Sequence, residues 1–240
     1  MGKRLKTQRR GAGSPIYAAT MNGVADAKYI NYSEIEAGVQ RGEIIELLND
    51  PGRSSVLAQV VYESGKSEYV IAAEGMFVGK VIEHGEGATL EIGNVKTLGS
   101  CPEGCPIFNI EKFEGDGGSL VRSSGMYGLI MTKDAKSVYV KMPSGVIISL
   151  RPQNRATIGI ASGGGRKDKP YVKAGKRYFA MKGKHKKYPY PRAIAMNALN
   201  HPFGGANHHP GKSKSTSRHA APGRKVGDIA SSRTGRRKKN

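Results

Sequence analysis

The sequence predicts a mostly β protein made of two small antiparallel barrels in tandem, with basic and largely irregular N- and C-terminal extensions. Three observations predict this fold class. Short β-branched runs are broken every eight to twelve residues or so by turn residues, no stretch holds a helical period for long, and the positive charge lies mostly outside the middle of the chain. Together they describe a compact β core with two basic arms.

The first barrel is predicted over residues 34–98. Here GEIIELLND is followed by the turn PGRS, VLAQVVY by the turn ESGK, and SEYVIAA completes the set. Proline and glycine fix or free the backbone angles, and asparagine and serine bond to the backbone nearby, so these clusters bound the strands.

The second barrel is predicted over residues 99–176, where the same pattern returns. The runs MYGLIMT, SVYVKM and VIISL are separated by KDAK and PSG. In SVYVK the polar and apolar residues alternate, as they do on a strand with one buried face. The two predicted barrels therefore share one construction.

Charge divides the chain into parts that suit different partners. The chain has 39 lysines and arginines against 19 acidic residues, a formal net charge of +20. Residues 34–95 carry −7, whereas residues 1–33 carry +5 and residues 151–240 carry +21. Such a charge predicts a polyanionic partner, of which nucleic acid is the commonest. We therefore predict a basic N-terminal arm at residues 1–33 and a basic extension at residues 177–240.

Composition disfavours membrane and secreted classes. The longest apolar runs, such as YVIAA and VIISL, have about five residues, whereas a spanning helix needs roughly 20. No apolar stretch follows the charged start MGKRLKTQRRGAGSP, so a secretory signal is not predicted. Two cysteines make no disulfide framework, and a reducing, cytoplasmic location is expected.

Two motifs that resemble small-molecule sites are interpreted otherwise. Cys101 and Cys105 have no second cysteine pair to complete a four-ligand zinc site, so small apolar residues near a turn are favoured. The loop ASGGGRKDKP, residues 161–170, lacks the GK[ST] ending of a nucleotide-binding loop. Its glycines let bare backbone approach a phosphate chain closely. We predict no cofactor, no metal and no small-molecule substrate.

Aromatic and basic residues alternate along residues 171–192, and this combination suits RNA with unpaired bases. Core positions at a barrel edge are the alternative for these aromatics. The segment NALNHPFGGANHHPG brings three histidines together, but Asp228 is the only acidic residue after Asp168. Without a local carboxylate to orient them, the histidines suit base stacking or phosphate contacts better than acid–base catalysis.

Long motifs, in order along nearly the whole chain, identify a family. KTQRRGAGSP, EGDGGSLVRSSG, MPSGVIISLRPQNRATIG, RATIGIASGGGRKDKPYVKAG, AMNALNHPFGG, HPGKSKSTSR and APGRKVGDIASSRTGRR resemble the universal second protein of the large ribosomal subunit, in its archaeal form. The resemblance implies an oligonucleotide-binding-type barrel, an SH3-like barrel and an extension threading into ribosomal RNA. It also implies a primary RNA-binding protein that supports subunit association, tRNA binding and the peptidyl-transferase centre. Other ribosomal proteins, and small-subunit RNA across the subunit interface, are the further partners it suggests.

His201 falls on the histidine of the family's DHPxGG segment, which has been proposed to take part in peptide-bond formation. Asn200 stands where the family usually has Asp, and an amide cannot be an anionic partner. The family's longer glycine run is interrupted here by Ala206 and Asn207. We predict no catalytic residue, and keep peptidyl transfer through His201 and architectural nucleic-acid binding as alternatives.

The residues predicted to contact RNA are basic side chains, glycines of the ASGGGRKDKP loop and of the tail, and a single histidine. They are Arg9, Arg10, Arg122, Arg155, Gly163, Gly164, Gly165, Arg166, Lys167, Lys169, Lys173, Arg177, His201, Gly204, Gly205, Arg218, Arg224, Lys225, Arg233 and Arg236.

Overall fold

The computed structural model describes residues 4–17, 23, 25–31, 38–206 and 208–235. The chain forms two compact units, one of residues 21–170 and one of residues 1–20 together with residues 171–240. The predicted mostly β fold is confirmed, because the first of these units is built from strands.

Ten strands are described within residues 21–170: β1 (Val39–Leu48), β2 (Leu57–Tyr62), β3 (Ser67–Ile71), β4 (Val81–Gly85), β5 (Val95–Thr97), β6 (Pro106–Phe108), β7 (Gly128–Lys133), β8 (Val138–Lys141), β9 (Ile147–Leu150) and β10 (Arg155–Ile158). They form one sheet in the order β3-β2-β1-β4-β5-β10-β6-β7-β8-β9. The predicted runs correspond to β1, β2, β3, β7, β8 and β9. The strands β4, β5, β6 and β10 were not predicted from the sequence.

The first barrel, of the oligonucleotide-binding type, surrounds an apolar cluster contributed mainly by β2, with one buried residue each from β1, β3 and β4. Along β1 the buried Gly42 and Ile44 alternate with the exposed Glu43 and Ile45, as expected for a strand with one face in the core. Ile82 of β4 is also fully buried in this cluster.

The second barrel surrounds a separate cluster that includes Ile130, Val140 and Cys101. Burial raises the pKa of the Cys101 thiol to about 11, so this thiol stays protonated near neutral pH. Cys101 is therefore a small apolar core residue, as predicted. Cys105 is half-buried and packs against the same cluster.

A short segment, residues 25–31, ties the two barrels together, and we call it the strap. Strand β10 also joins the barrels, because it pairs with β5 on one side and β6 on the other. Three arginines each donate a hydrogen bond to a carbonyl of the strap: Arg53 Nη2 to Ala25 (2.7 Å), Arg122 Nη2 to Ala27 (2.6 Å) and Arg155 Nη1 to Ile30 (2.6 Å).

The other unit has little regular structure: helices α1 (Lys6–Gly11) and α2 (Ala174–Gly183), a 3₁₀ turn (Ala193–Ala195), and the short parallel strands β11 (Ser215–Thr216) and β12 (Asp228–Ile229). Among the described residues of this unit, the buried apolar ones are Phe203 and Val226. Helix α2 was not predicted; its sequence AGKRYFAMKG contains good helix formers but no apolar stripe, and none of its residues is buried. None of the described helices has the length and apolarity needed to cross a membrane.

Candidate nucleic-acid interface

The two compact units differ sharply in charge. Residues 21–170 contain 16 basic and 18 acidic residues, a net charge of −2. Residues 1–20 and 171–240 contain 23 basic residues and one acidic residue, a net charge of +22. A surface with this excess of cations attracts phosphate, and on assembly it releases the counterions of the nucleic acid.

The glycine-rich loop, residues 161–169, is the main basic loop of the β unit. Gly163, Gly164 and Gly165 are exposed, as are the side chains of Arg166, Lys167 and Lys169. Gly163 and Gly165 have positive φ angles of 79° and 69°, which favour glycine at both positions. The loop therefore offers bare backbone beside three cations, an arrangement suited to a phosphate chain.

Serines outside the predicted set form hydrogen bonds at this loop and in the segments beside it. The Ser162 hydroxyl accepts a hydrogen bond from the Val56 amide at 3.2 Å. The Ser54 hydroxyl accepts one from the Ser124 amide at 3.1 Å. These partners are far apart in the chain, so no local sequence pattern marks the serines.

Arg122 and Arg155 were predicted to contact RNA, but the structure places their guanidinium groups against the strap. Arg155 forms an ion pair of 2.8 Å with Glu111, and the two side chains are 3% and 0% exposed. Arg122 is half-buried and donates a second hydrogen bond to the Gly118 carbonyl at 2.9 Å. Burial, and the nearby Arg53, lower the pKa of Arg122. Both arginines thus serve the interior of the β unit.

In the other unit, the predicted cations Arg9, Arg10, Lys173 and Arg177 are exposed, and two of them lie near half-buried aromatic rings. Arg9 and Arg10 lie in the last turn of α1, and the Arg10 guanidinium lies 5.9 Å from the centre of the Tyr17 ring. Lys173 precedes α2, and Arg177 within α2 lies 5.2 Å from the Tyr188 ring centre.

The aromatic side chains of α2 face solvent. Tyr178 and Phe179 are 45% and 68% exposed, and their ring centres lie 5.4 Å apart in an edge-to-face arrangement. The alternative that these residues form the core of a barrel edge is therefore wrong. Exposed rings beside lysines and arginines offer stacking platforms for unpaired bases.

His201 is only 9% exposed, and its Nδ1 accepts a hydrogen bond from the Phe203 amide at 3.0 Å. In the neutral ring this fixes the proton on Nε2, so the basic nitrogen is turned to the backbone. The backbone at Gly204 lies close to the backbone of Asn197: an added Cβ would lie 2.3 Å from the Asn197 carbonyl oxygen. Gly205 has a positive φ of 91°.

The three histidines of this segment are not brought together as a metal site. His208 and His209 are exposed, unlike His201. Among the residues that the structure describes, no group of three histidines, cysteines or carboxylates could hold a metal ion.

The remaining predicted cations lie near the end of the chain. Arg218, Lys225 and Arg233 are exposed. Arg224 is half-buried, and its Nη1 is buried without a hydrogen-bond partner among the described residues. Arg236 lies outside the described residues.

A β core of nearly balanced charge, joined to a cationic unit rich in glycine and exposed aromatic rings, defines an RNA-binding protein. Two family models match the chain: "Ribosomal Proteins L2, RNA binding N-terminal domain" over residues 2–84, and "Ribosomal Proteins L2, C-terminal domain" over residues 91–224.

Curated relatives match from end to end. Proteins called "Large ribosomal subunit protein uL2" from Methanocaldococcus jannaschii, Methanothermobacter thermautotrophicus and Methanococcus aeolicus are 51%, 46% and 49% identical to this chain. Each alignment covers 99% of this chain and 100% of the relative. The chain belongs to the ribosomal protein L2 family.

Proposed function

We propose that this chain is a structural protein of the large ribosomal subunit that binds ribosomal RNA. The observation that carries the proposal is the end-to-end similarity to relatives called large ribosomal subunit proteins, at 51% identity for one of them. In this role it supports subunit association, tRNA binding and the peptidyl-transferase centre. Its partners are large-subunit RNA, other ribosomal proteins and small-subunit RNA, and its location is the cytoplasm, within the ribosome.

The charge distribution supports different roles for different parts of the chain. The arm (residues 1–33) and the extension (residues 177–240) supply most phosphate contacts, while the barrels (residues 34–98 and 99–176) supply a rigid body. Because the β unit carries −2 and the other unit +22, phosphate attraction is concentrated in the second.

His201 has a structural role in this proposal, and the protein supplies no catalytic group. A general base needs an accessible lone pair within hydrogen-bond reach of a substrate proton. The Nδ1 lone pair of His201 is engaged by the Phe203 amide, and Asn200 offers no anion to stabilise a protonated ring.

The test is a competition between RNAs for the full chain. Large-subunit ribosomal RNA is expected to bind at least about 10³-fold more tightly than unrelated RNA or duplex DNA of equal length at physiological salt. Filter binding across a salt series measures this ratio. Equal affinities for all three nucleic acids would favour an architectural nucleic-acid-binding protein instead.

A further inference from the structure

A groove on the second barrel adjoins the glycine-rich loop. Its volume is about 330 Å³, near the lower end of the roughly 300–1,000 Å³ of pockets that hold small molecules. Its lining is mostly apolar, with one aromatic ring and one cation: Met126, Tyr127, Leu129, Lys141, Met142 and Pro143.

Strand register explains why apolar and charged groups meet here. Leu129 of β7 is directly opposite Lys141 of β8, on the face that points away from the core. The neighbouring pair, Ile130 and Val140, is buried on the inner face. Tyr127 precedes β7 and is 46% exposed, although a tyrosine ring is amphipathic and could have packed inward. The groove is thus lined by both an aromatic ring and an ammonium group.

The groove is continuous with the proposed phosphate-binding loop. Gly125, which also lines the groove, donates its amide to the Ala161 carbonyl at 2.8 Å. The Ala161 amide donates in turn to the Met126 carbonyl at 3.2 Å. The glycine-rich loop therefore adjoins the groove, and a phosphate chain along Gly163–Lys167 would lie near it.

We propose that the groove holds one unpaired base of the ribosomal RNA, stacked on the Tyr127 ring, while Lys141 neutralises the adjoining phosphate. This inference rests on the proposed function. The π face of a base can stack on the tyrosine ring and pack against the methionine side chains. The phosphate of the same nucleotide can pair with the lysine ammonium group.

An apolar protein segment fits this groove less well. It would cover the Lys141 ammonium group without supplying a counter-charge, and burying an unpaired charge is costly. Residues 96–170, which include the groove and the loop, also carry a net charge of +5, whereas residues 34–95 carry −7. The groove therefore lies in the part of the β unit that attracts RNA.

The test uses the full chain with large-subunit ribosomal RNA as the probe, in a salt series. Tyr127→Ala is expected to weaken binding about 5- to 150-fold with an unchanged salt slope, because it removes stacking and no charge. Tyr127→Phe keeps the ring and should restore the affinity. Lys141→Gln should instead reduce the salt slope by roughly one. Phe113→Ala, at a ring that is 67% exposed outside the groove, is the matched control.

A direct readout is available because the chain contains no tryptophan. In Tyr127→Trp the single indole should lose emission and become protected from acrylamide when ribosomal RNA binds, while Phe113→Trp should change little. If wild type prefers ribosomal RNA but Tyr127→Ala binds like Phe113→Ala, the groove is not a base site and the proposed function stands. If wild type shows no preference for ribosomal RNA, both proposals fall.

Discussion

At the scale of single residues, Arg155 is a basic residue whose charge is used inside the protein. Its guanidinium is paired with the buried carboxylate of Glu111 and bound to the Ile30 carbonyl of the strap. Removing one partner of a buried ion pair leaves the other charge uncompensated. Arg155→Met is therefore expected to lower the free energy of unfolding by about 3–5 kcal/mol in urea titrations.

Arg151→Met is the matched control for this substitution, because Arg151 is exposed on the same segment. A surface change of this kind is expected to stay within about 0.5 kcal/mol of wild type. If the two variants unfolded at the same urea concentration, the Glu111–Arg155 pair would not be holding the strap.

The buried His84 predicts how stability depends on pH. Its ring lies between Tyr29 and Tyr62, at 6.0 Å and 5.3 Å between ring centres. Burial first, and then the charge of Arg155, lower the pKa of His84 to about 3. The unfolded chain protonates this histidine below about pH 6.5, so the unfolded state binds the extra proton. The contribution of neutral His84 to the free energy of unfolding is fully present well above pH 6.5. Below pH 6.5 the free energy of unfolding should fall by at most about 1.4 kcal/mol per pH unit.

Urea titrations between pH 7.5 and pH 5 measure this loss. His84→Phe keeps a ring in the cavity but cannot take up a proton, so its stability should depend less steeply on pH than that of wild type. Parallel curves for the two proteins would show that another group is responsible. The interval avoids most carboxylate titration, which lies lower.

At the scale of structural elements, the glycine-rich loop depends on a close approach of two backbones. A Cβ added at Gly125 would lie 2.7 Å from the Gly164 Cα, and Gly125 also has a positive φ of 68°. Gly125→Ala should lower the unfolding free energy by about 1–2 kcal/mol for the backbone angle and a further 1–3 kcal/mol for the clash. It should also weaken ribosomal RNA binding, because the loop must shift.

Gly145→Ala isolates the first contribution, the cost of the backbone angle. Gly145 has a positive φ of 86°, yet nothing lies within 4 Å of an added Cβ. This control should therefore show the cost of the backbone angle alone and keep its RNA affinity. Equal effects in urea titration and filter binding would mean that the contact between the two loops is unimportant.

The elements that could be predicted from sequence are those with a local pattern. Strands β1 and β8 alternate apolar and polar residues between turn clusters, so the sequence predicts which face of each strand is buried. Strand β10 has the sequence RATI and all four residues are buried, since it lies between β5 and β6 and its arginine is paired inside. Helix α2 has no apolar stripe to mark it. The exposed loop cations were predictable from composition, whereas the partners of Arg122 and Arg155 depend on contacts distant in the chain.

At the scale of the whole molecule, stability and phosphate attraction reside in different parts of the chain. All three apolar clusters of the described residues belong to residues 21–170, so this unit is expected to fold alone. The +22 unit has few buried apolar residues, and bringing so many like charges together is unfavourable without phosphate.

This separation predicts different salt dependences for the whole chain and for a fragment of residues 21–170. With six to ten phosphate contacts, the whole chain should lose about 10³–10⁵ in RNA affinity between 50 and 200 mM salt. The fragment keeps only the three cations of the glycine-rich loop and Lys141 as phosphate contacts, so it should lose only about 10²-fold. Circular dichroism and urea unfolding establish that the fragment is folded. A folded fragment with the salt slope of the whole chain would place the phosphate contacts on the barrels, and the basic arm and extension would then need another partner.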